Sequence, residues 1–267
     1  MKTKELIGCG WIALVLIVAP VLLFLQPTIP QDQLYHQFAD QRSLFGIPNF
    51  WDVMSNAPFT VFGLMGLVAL ASPGKLQILD SIKPAYTIFF LGVSLVGFGS
   101  GYYHLNPNNL TLVWDRLPMT IAFMAFVSIV VAEHRSVTLA KWMLLPLLLL
   151  GFGSVIYWWW TEQQDAGDLR WYAVVQFMPM LIIPALLICF RSRFDSCRGY
   201  WWLLAAYLHA KFLEHFDRAI FECLGGFSGH TLKHTAAALG VLLLYFGYRN
   251  RRLQSENPAG PGIQPQS

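Results

Sequence analysis

Ala85-Tyr-Thr-Ile-Phe-Phe-Leu-Gly-Val-Ser-Leu-Val-Gly-Phe-Gly-Ser-Gly-Tyr-Tyr-His104 runs for twenty residues without an Asp, Glu, Lys or Arg. As a helix it is about 30 Å long, the thickness of a bilayer's hydrocarbon core. The same signature recurs near residues 8–26, 50–71, 111–132, 142–160, 171–190, 200–221 and 229–248, so eight spans are expected. Composition agrees, with 55% of residues hydrophobic and 12% charged, roughly half the charge of a soluble globular chain. The expected fold is an all-α membrane protein, a seven-transmembrane-helix bundle plus one extra N-terminal transmembrane helix. Residues 1–28 form that anchor, 29–49 an outer-side segment and 50–250 the seven-helix core. Residues 251–267 are expected to be a disordered tail, rich in Pro, Gly and Gln from Ser255 onward. Too little chain lies between the spans for a separate soluble domain.

Lys2 and Lys4 precede the first apolar stretch, as in a signal peptide, but no small-residue cleavage pattern comes before Gln26-Pro27. An uncleaved anchor is the better reading. With the N-terminus inside, inner segments collect Lys2, Lys4, Lys75, Lys83, Arg135 and Lys141, and later the arginines at 191, 193, 198, 249, 251 and 252. Outer loops hold mainly Arg42 and Arg170. That asymmetry predicts both termini on the cytoplasmic side, at the inner membrane if the cell is bacterial. The net charge of +3 follows this topology and gives no reason to invoke nucleic acid. Cys9, Cys189, Cys197 and Cys223 lack metal-ligand spacing, and Cys197 and Cys223 fall on opposite sides, so no disulfide framework is implied.

The same topology sorts the polar residues. His230-Thr-Leu-Lys-His234 opens the last span with two histidines on one helix face, about 6 Å apart, a workable separation for ligands of one ion. His104 ends the third span on the same side, Ser100 lies one turn below it, and Asp115 sits just inside the start of the fourth. Three imidazoles suit Zn²⁺ with an open position for water, and a carboxylate and a hydroxyl beside it suit hydrolysis of a carbonyl. Toward the outer face, the natural substrate is a lipid whose amide or ester lies at headgroup level.

Each residue also has a plainer reading. A histidine near a helix end can be an interfacial hydrogen-bonding group. Ser100 lies in Gly97-Phe-Gly-Ser-Gly101, where small residues let helices pack closely. Asp115 and Arg116 can form a local pair at a helix start. A haem-binding electron carrier is disfavoured, because an i,i+4 pair on one face cannot supply both axial ligands. In the seventh span Lys211 and His215, and Glu214 and Arg218, are spaced for ion pairs within one helix. The expected result is an internally neutralised stripe facing the bundle, whose outer end, near Asp217, can approach the metal site as a supporting group. His36 and His134 fall in expected loops without a role.

The pattern Ser100-x-x-x-His104, Asp115, His230-x-x-x-His234 resembles the alkaline ceramidase family. That family lies within a superfamily of seven-helix membrane hydrolases that includes the progestin/adiponectin receptors. Asn49-Phe-Trp-Asp52 with Ser55-Asn56, Gly99-Ser-Gly-Tyr-Tyr-His104, Trp114-Asp-Arg-Leu-Pro-Met119 and Gly229-His-Thr-Leu-Lys-His234 carry the likeness over residues 40–248. The resemblance implies that His104, His230 and His234 bind zinc, with Asp115 and Ser100 catalytic. It implies hydrolysis of a ceramide-like lipid amide to a fatty acid and a sphingoid-type amine. It also leaves open a lipid-binding, receptor-like protein with a structural zinc. Animal members bind calcium through an acidic cluster that ends in a glutamate just before Phe-Trp. Here Asn49 stands in that place, with only Asp32 and Asp40 upstream, which argues against a calcium site.

Overall fold

The computed structural model describes residues 3–254, and the expected tail from Ser255 onward lies outside them. Among the described residues the protein is all-helical: α1 (Thr3–Phe24), α2 (Phe50–Met54), α3 (Ala57–Ala71), α4 (Lys83–Leu105) and α5 (Asn109–His134), then α6 (Val137–Glu162), α7 (Arg170–Cys189), α8 (Arg198–His215), α9 (Asp217–Leu224) and α10 (Gly229–Asn250). Among the described residues six stretches are long and apolar enough to cross a membrane: α1, α2 with α3, Asp80–Leu105, α5, α6 and α7. The protein is an integral membrane protein. The helices α8 and α10, both expected as spans, are too polar to meet the same measure.

Two expected spans are interrupted. The stretch 50–71 breaks at Ser55-Asn56, between α2 and α3, and Pro58 follows in the first turn of α3. The stretch 200–221 breaks at Phe216, so α8 ends at His215 and the short α9 begins at Asp217. Both breaks fall at the end of the bundle where the histidines gather.

The connection between α4 and α5 sets the geometry of that end. Asn108 closes a capping box with Thr111, its side-chain oxygen accepting from Leu110 N at 2.9 Å and Thr111 N at 3.0 Å. The reversal is therefore tight, and the C-terminus of α4 lies beside the N-terminus of α5. Gly99 keeps them close: a Cβ there would stand 2.0 Å from the carbonyl oxygen of Trp114. In a bilayer such close approach is what drives helix association, because lipid tails are as apolar as the helices' own side chains.

α1 packs on α7, with Trp11 Nε1 donating to Leu181 O at 3.1 Å. The segment between α1 and α2 forms a short 3-10 turn, Gln33–His36, and buries Phe38. Residues 251–254, expected to begin the disordered tail, are instead packed at the opposite end of the bundle. Arg251 is buried and bonds Glu133 through Nη1 at 2.7 Å and Nη2 at 2.5 Å. Tyr86 donates to the same Glu133 carboxylate, and Leu253 bridges to Phe194. His134 completes α5 as a buried residue rather than lying in a loop.

Candidate metal centre

His104 comes from the last turn of α4, and His230 and His234 come from the first two turns of α10. Ser228 caps α10, its hydroxyl accepting from Thr231 N at 3.0 Å, and so aims the pair into the bundle. All three histidines are buried, and their candidate ligand atoms lie within 4.8 Å of one another. Ring centroids are 4.9 Å apart for His104–His230, 5.0 Å for His104–His234 and 4.9 Å for His230–His234. The cluster could hold a metal ion. Nδ1 of His104 and Nε2 of His230 are buried without a hydrogen-bond partner, as ligand atoms facing one point would be. Three rings converging on that point are not the opposed pair that haem requires.

The outer atoms of the cluster are held in place. Nδ1 of His234 lies 2.9 Å from the Ser55 hydroxyl, beside the α2–α3 break. The backbone N of His230 donates to Asp217 Oδ1 at 2.7 Å, and Ala39 N donates to Asp217 Oδ2 at 2.9 Å. Asp217 thus ties α9, the start of α10 and the segment between α1 and α2 together. Asn49, in left-handed backbone geometry, donates its amide to His104 O at 2.8 Å. Asp52, wholly buried, accepts from Thr231 Oγ1 at 2.6 Å.

Sequence reasoning missed several of these groups. The ring of Phe38 lies 4.6 Å from that of His104 and 4.5 Å from that of His230, covering the cluster from the segment between α1 and α2. His36 is not idle, bonding Tyr103 Oη at 2.9 Å and Asn109 Oδ1 at 2.8 Å. No periodic pattern in residues 29–49 marks Phe38 or His36. The polar stripe also pairs differently from the helix-spacing expectation: Glu214 bonds Lys211 at 2.7 Å and, from another helix, Lys233 at 2.5 Å.

The residues upstream of α2 are engaged elsewhere. Asp32 caps the 3-10 turn, and Asp40 pairs with Arg42 at 2.6 Å. Burial raises the Asp40 carboxyl's pKa, but the hydrogen bonds and charge of Arg42 outweigh this and leave it below the usual range.

A cavity of about 540 Å³ opens beside the cluster. Ser100, Asp115 and His234 line it, and the side chains of Ser100 and Asp115 interact there. Phe89, Val93, Phe126, Leu204 and Val241 carry the lining deep into the apolar bundle. Tyr35, Arg116, Lys211, Glu214 and Lys233 also line it. An apolar chamber that ends on a few converging polar groups is the usual form of a small-molecule site.

A family description, Ceramidase, matches residues 45–213 of this chain. The chain belongs to the ceramidase family. Membership implies a hydrolase acting on amide bonds, with a lipid substrate in a membrane setting. The matched residues contain Ser100, His104 and Asp115 but stop short of α10, which brings His230 and His234 beside His104 through the tertiary fold. No curated protein matches the chain.

Proposed function

We propose that the protein is a zinc-dependent, membrane-embedded amidase that cleaves ceramide-like lipids into a fatty acid and a sphingoid-type amine. The observation that carries this reading is the cavity whose apolar body ends on Ser100, Asp115 and His234. An acyl chain in that body brings its amide to the histidine cluster.

The donor set fits zinc, being three imidazoles with two unpartnered buried nitrogens. Bound zinc would supply a Lewis acid and an activated water. The protein's own groups do the rest. Asp115 takes a proton from the attacking water and passes it to the leaving amine. The Ser100 hydroxyl donates a hydrogen bond to the carbonyl oxygen as negative charge develops there. Phe38 closes the outer side against bulk water, and Ser55 holds the His234 ring.

In the same reading α8 and α10 are also spans, giving seven core helices and the α1 anchor. At 22 residues α10 is about 33 Å long, enough to cross. The distribution of Lys and Arg supports cytoplasmic termini and a site toward the outer face.

The test joins elemental analysis of the purified protein with a turnover assay on a panel of lipid amides. Zinc together with release of fatty acid supports the amidase. Zinc with bound ceramide and no release makes the protein a receptor-like lipid binder.

A further inference from the structure

Arg116 follows Asp115 on α5, is 5% exposed and lines the same cavity. Its guanidinium carbon lies 4.2 Å from the ring centre of Trp158 and 4.5 Å from that of Tyr172, with Tyr35 at 5.9 Å. These rings fix its position. Its hydrogen bonding is incomplete: Nη2 donates at 2.6 Å to Gln31 Oε1, a neutral acceptor, and Nη1 is buried with no partner. None of the ion pairs among the described residues includes Arg116, so the local pair with Asp115 does not form.

Two more cations share the cavity lining. Lys211 on α8 and Lys233 on α10 hold a single carboxylate, Glu214, between them. The lining holds two other carboxylates, Asp115 and Asp32, neither of them in an ion pair, and Asp32 caps the 3-10 turn. Tyr35 shares that lining with Lys233, Glu214, Arg116 and Asp115, and its ring centre lies 5.9 Å from the Arg116 guanidinium carbon.

A guanidinium buried in a helix bundle with Nη1 unpartnered and no ion pair is costly, and ring faces offset only part of that cost. Its planar fork matches the oxygens of a phosphate or carboxylate. A headgroup of hydroxyls alone would leave the Nη1 side without a charged partner. We propose that Arg116, supported by Lys211 and Lys233, is an anion subsite that selects lipid amides with an acidic headgroup, such as a phosphate. What is cleaved rests on the amidase reading; what is bound does not.

The experiment compares two N-acyl lipids with identical chains, one with a free hydroxyl headgroup and one phosphorylated there. Binding to the purified full-length protein in lipid nanodiscs is read by tryptophan fluorescence, to which Trp158 contributes directly, and KM and kcat are measured alongside. The expected result is at least tenfold tighter binding of the phosphorylated lipid. That preference should fall to near unity in Arg116→Gln and narrow at least threefold in Lys211→Gln, with the change in KM rather than kcat. Equal affinity for the two lipids in the wild type overturns the proposal. If Arg116→Gln does not fold, Lys211→Gln decides, and an unchanged preference in it overturns the proposal.

A third arm uses oleate alone. Arg116-dependent oleate binding without any headgroup preference assigns the site to the released carboxylate and overturns the headgroup proposal. Selective binding of the acidic lipid without fatty-acid release would refute the amidase reading and leave the subsite standing. Cleavage of both lipids with equal KM would do the reverse.

Discussion

The Ser55 hydroxyl lies 2.9 Å from Nδ1 of His234 and itself donates to the Asp52 carbonyl at 3.1 Å. With that proton kept on the carbonyl, Ser55 accepts from a ring protonated on Nδ1, the tautomer that leaves Nε2 free to ligate; the Asn56 amide, 3.4 Å from the same Nδ1, favours the other tautomer. Such outer partners typically contribute 10–100-fold to metal affinity. Ser55→Ala should keep the fold and weaken zinc binding by roughly 10-fold or more. Competition with a chromophoric chelator measures this, and unchanged affinity would show that Ser55 does not set the tautomer.

The purified wild type should carry about one zinc per chain. His230→Ala and His234→Ala should each lose both metal and turnover, because two imidazoles with water hold zinc far less tightly than three. Full occupancy in both variants would dismiss the three-histidine site, and a haem absorption band would revive the electron-carrier reading.

Asp115 and Ser100 line the cavity with His234, and neither belongs to the group of candidate metal ligands. Asp115→Asn should accordingly retain zinc and fold while turnover drops by ~10²-fold or more. Paired elemental and kinetic measurements separate the two effects. A variant that hydrolyses at the wild-type rate removes Asp115 from the mechanism.

Calcium is expected to be dispensable. Asp40 is paired with Arg42, Asp32 caps a turn, and the Asn49 amide donates to the backbone of His104. Gathering several oxygens around a hard cation would mean breaking those contacts. Activity in a calcium-selective chelator, with zinc confirmed bound, should be unchanged; a collapse that calcium alone reverses would contradict this.

At the far end of the bundle, Glu133 is wholly buried and answered by Arg251 and Tyr86. Arg251→Met should destabilise the protein by about 3–5 kcal/mol, because it strands a buried carboxylate. Adding Glu133→Gln should recover much of that loss. Thermal unfolding in detergent reads both variants, and an additive double mutant would argue against direct coupling.

Much of the site was legible before folding because its signals are local. His104 and Asp115 are joined by a short polar connector, and His230 and His234 share a helix face by helical period alone. The breaks at Ser55-Asn56 and Phe216 were not legible, since a run of apolar residues reads the same whether or not its helix is interrupted. Glu214 shows the same limit: spacing along the expected span 200–221 proposes Arg218 as its partner, but Arg218 falls in α9 beyond the break, and Lys233 arrives from α10.

The sequence alone determined that this chain is a bundle of apolar helices with histidines, a serine and an aspartate near the same ends of several of them. Length, hydropathy and helical period do not depend on which helices touch. Only the tertiary structure decided that three imidazoles from α4 and α10 converge, that Phe38 covers them, and that Arg116 lines the cavity without a carboxylate partner. Those relationships join residues far apart in the chain, and they exist only once close helix packing has placed them against one another.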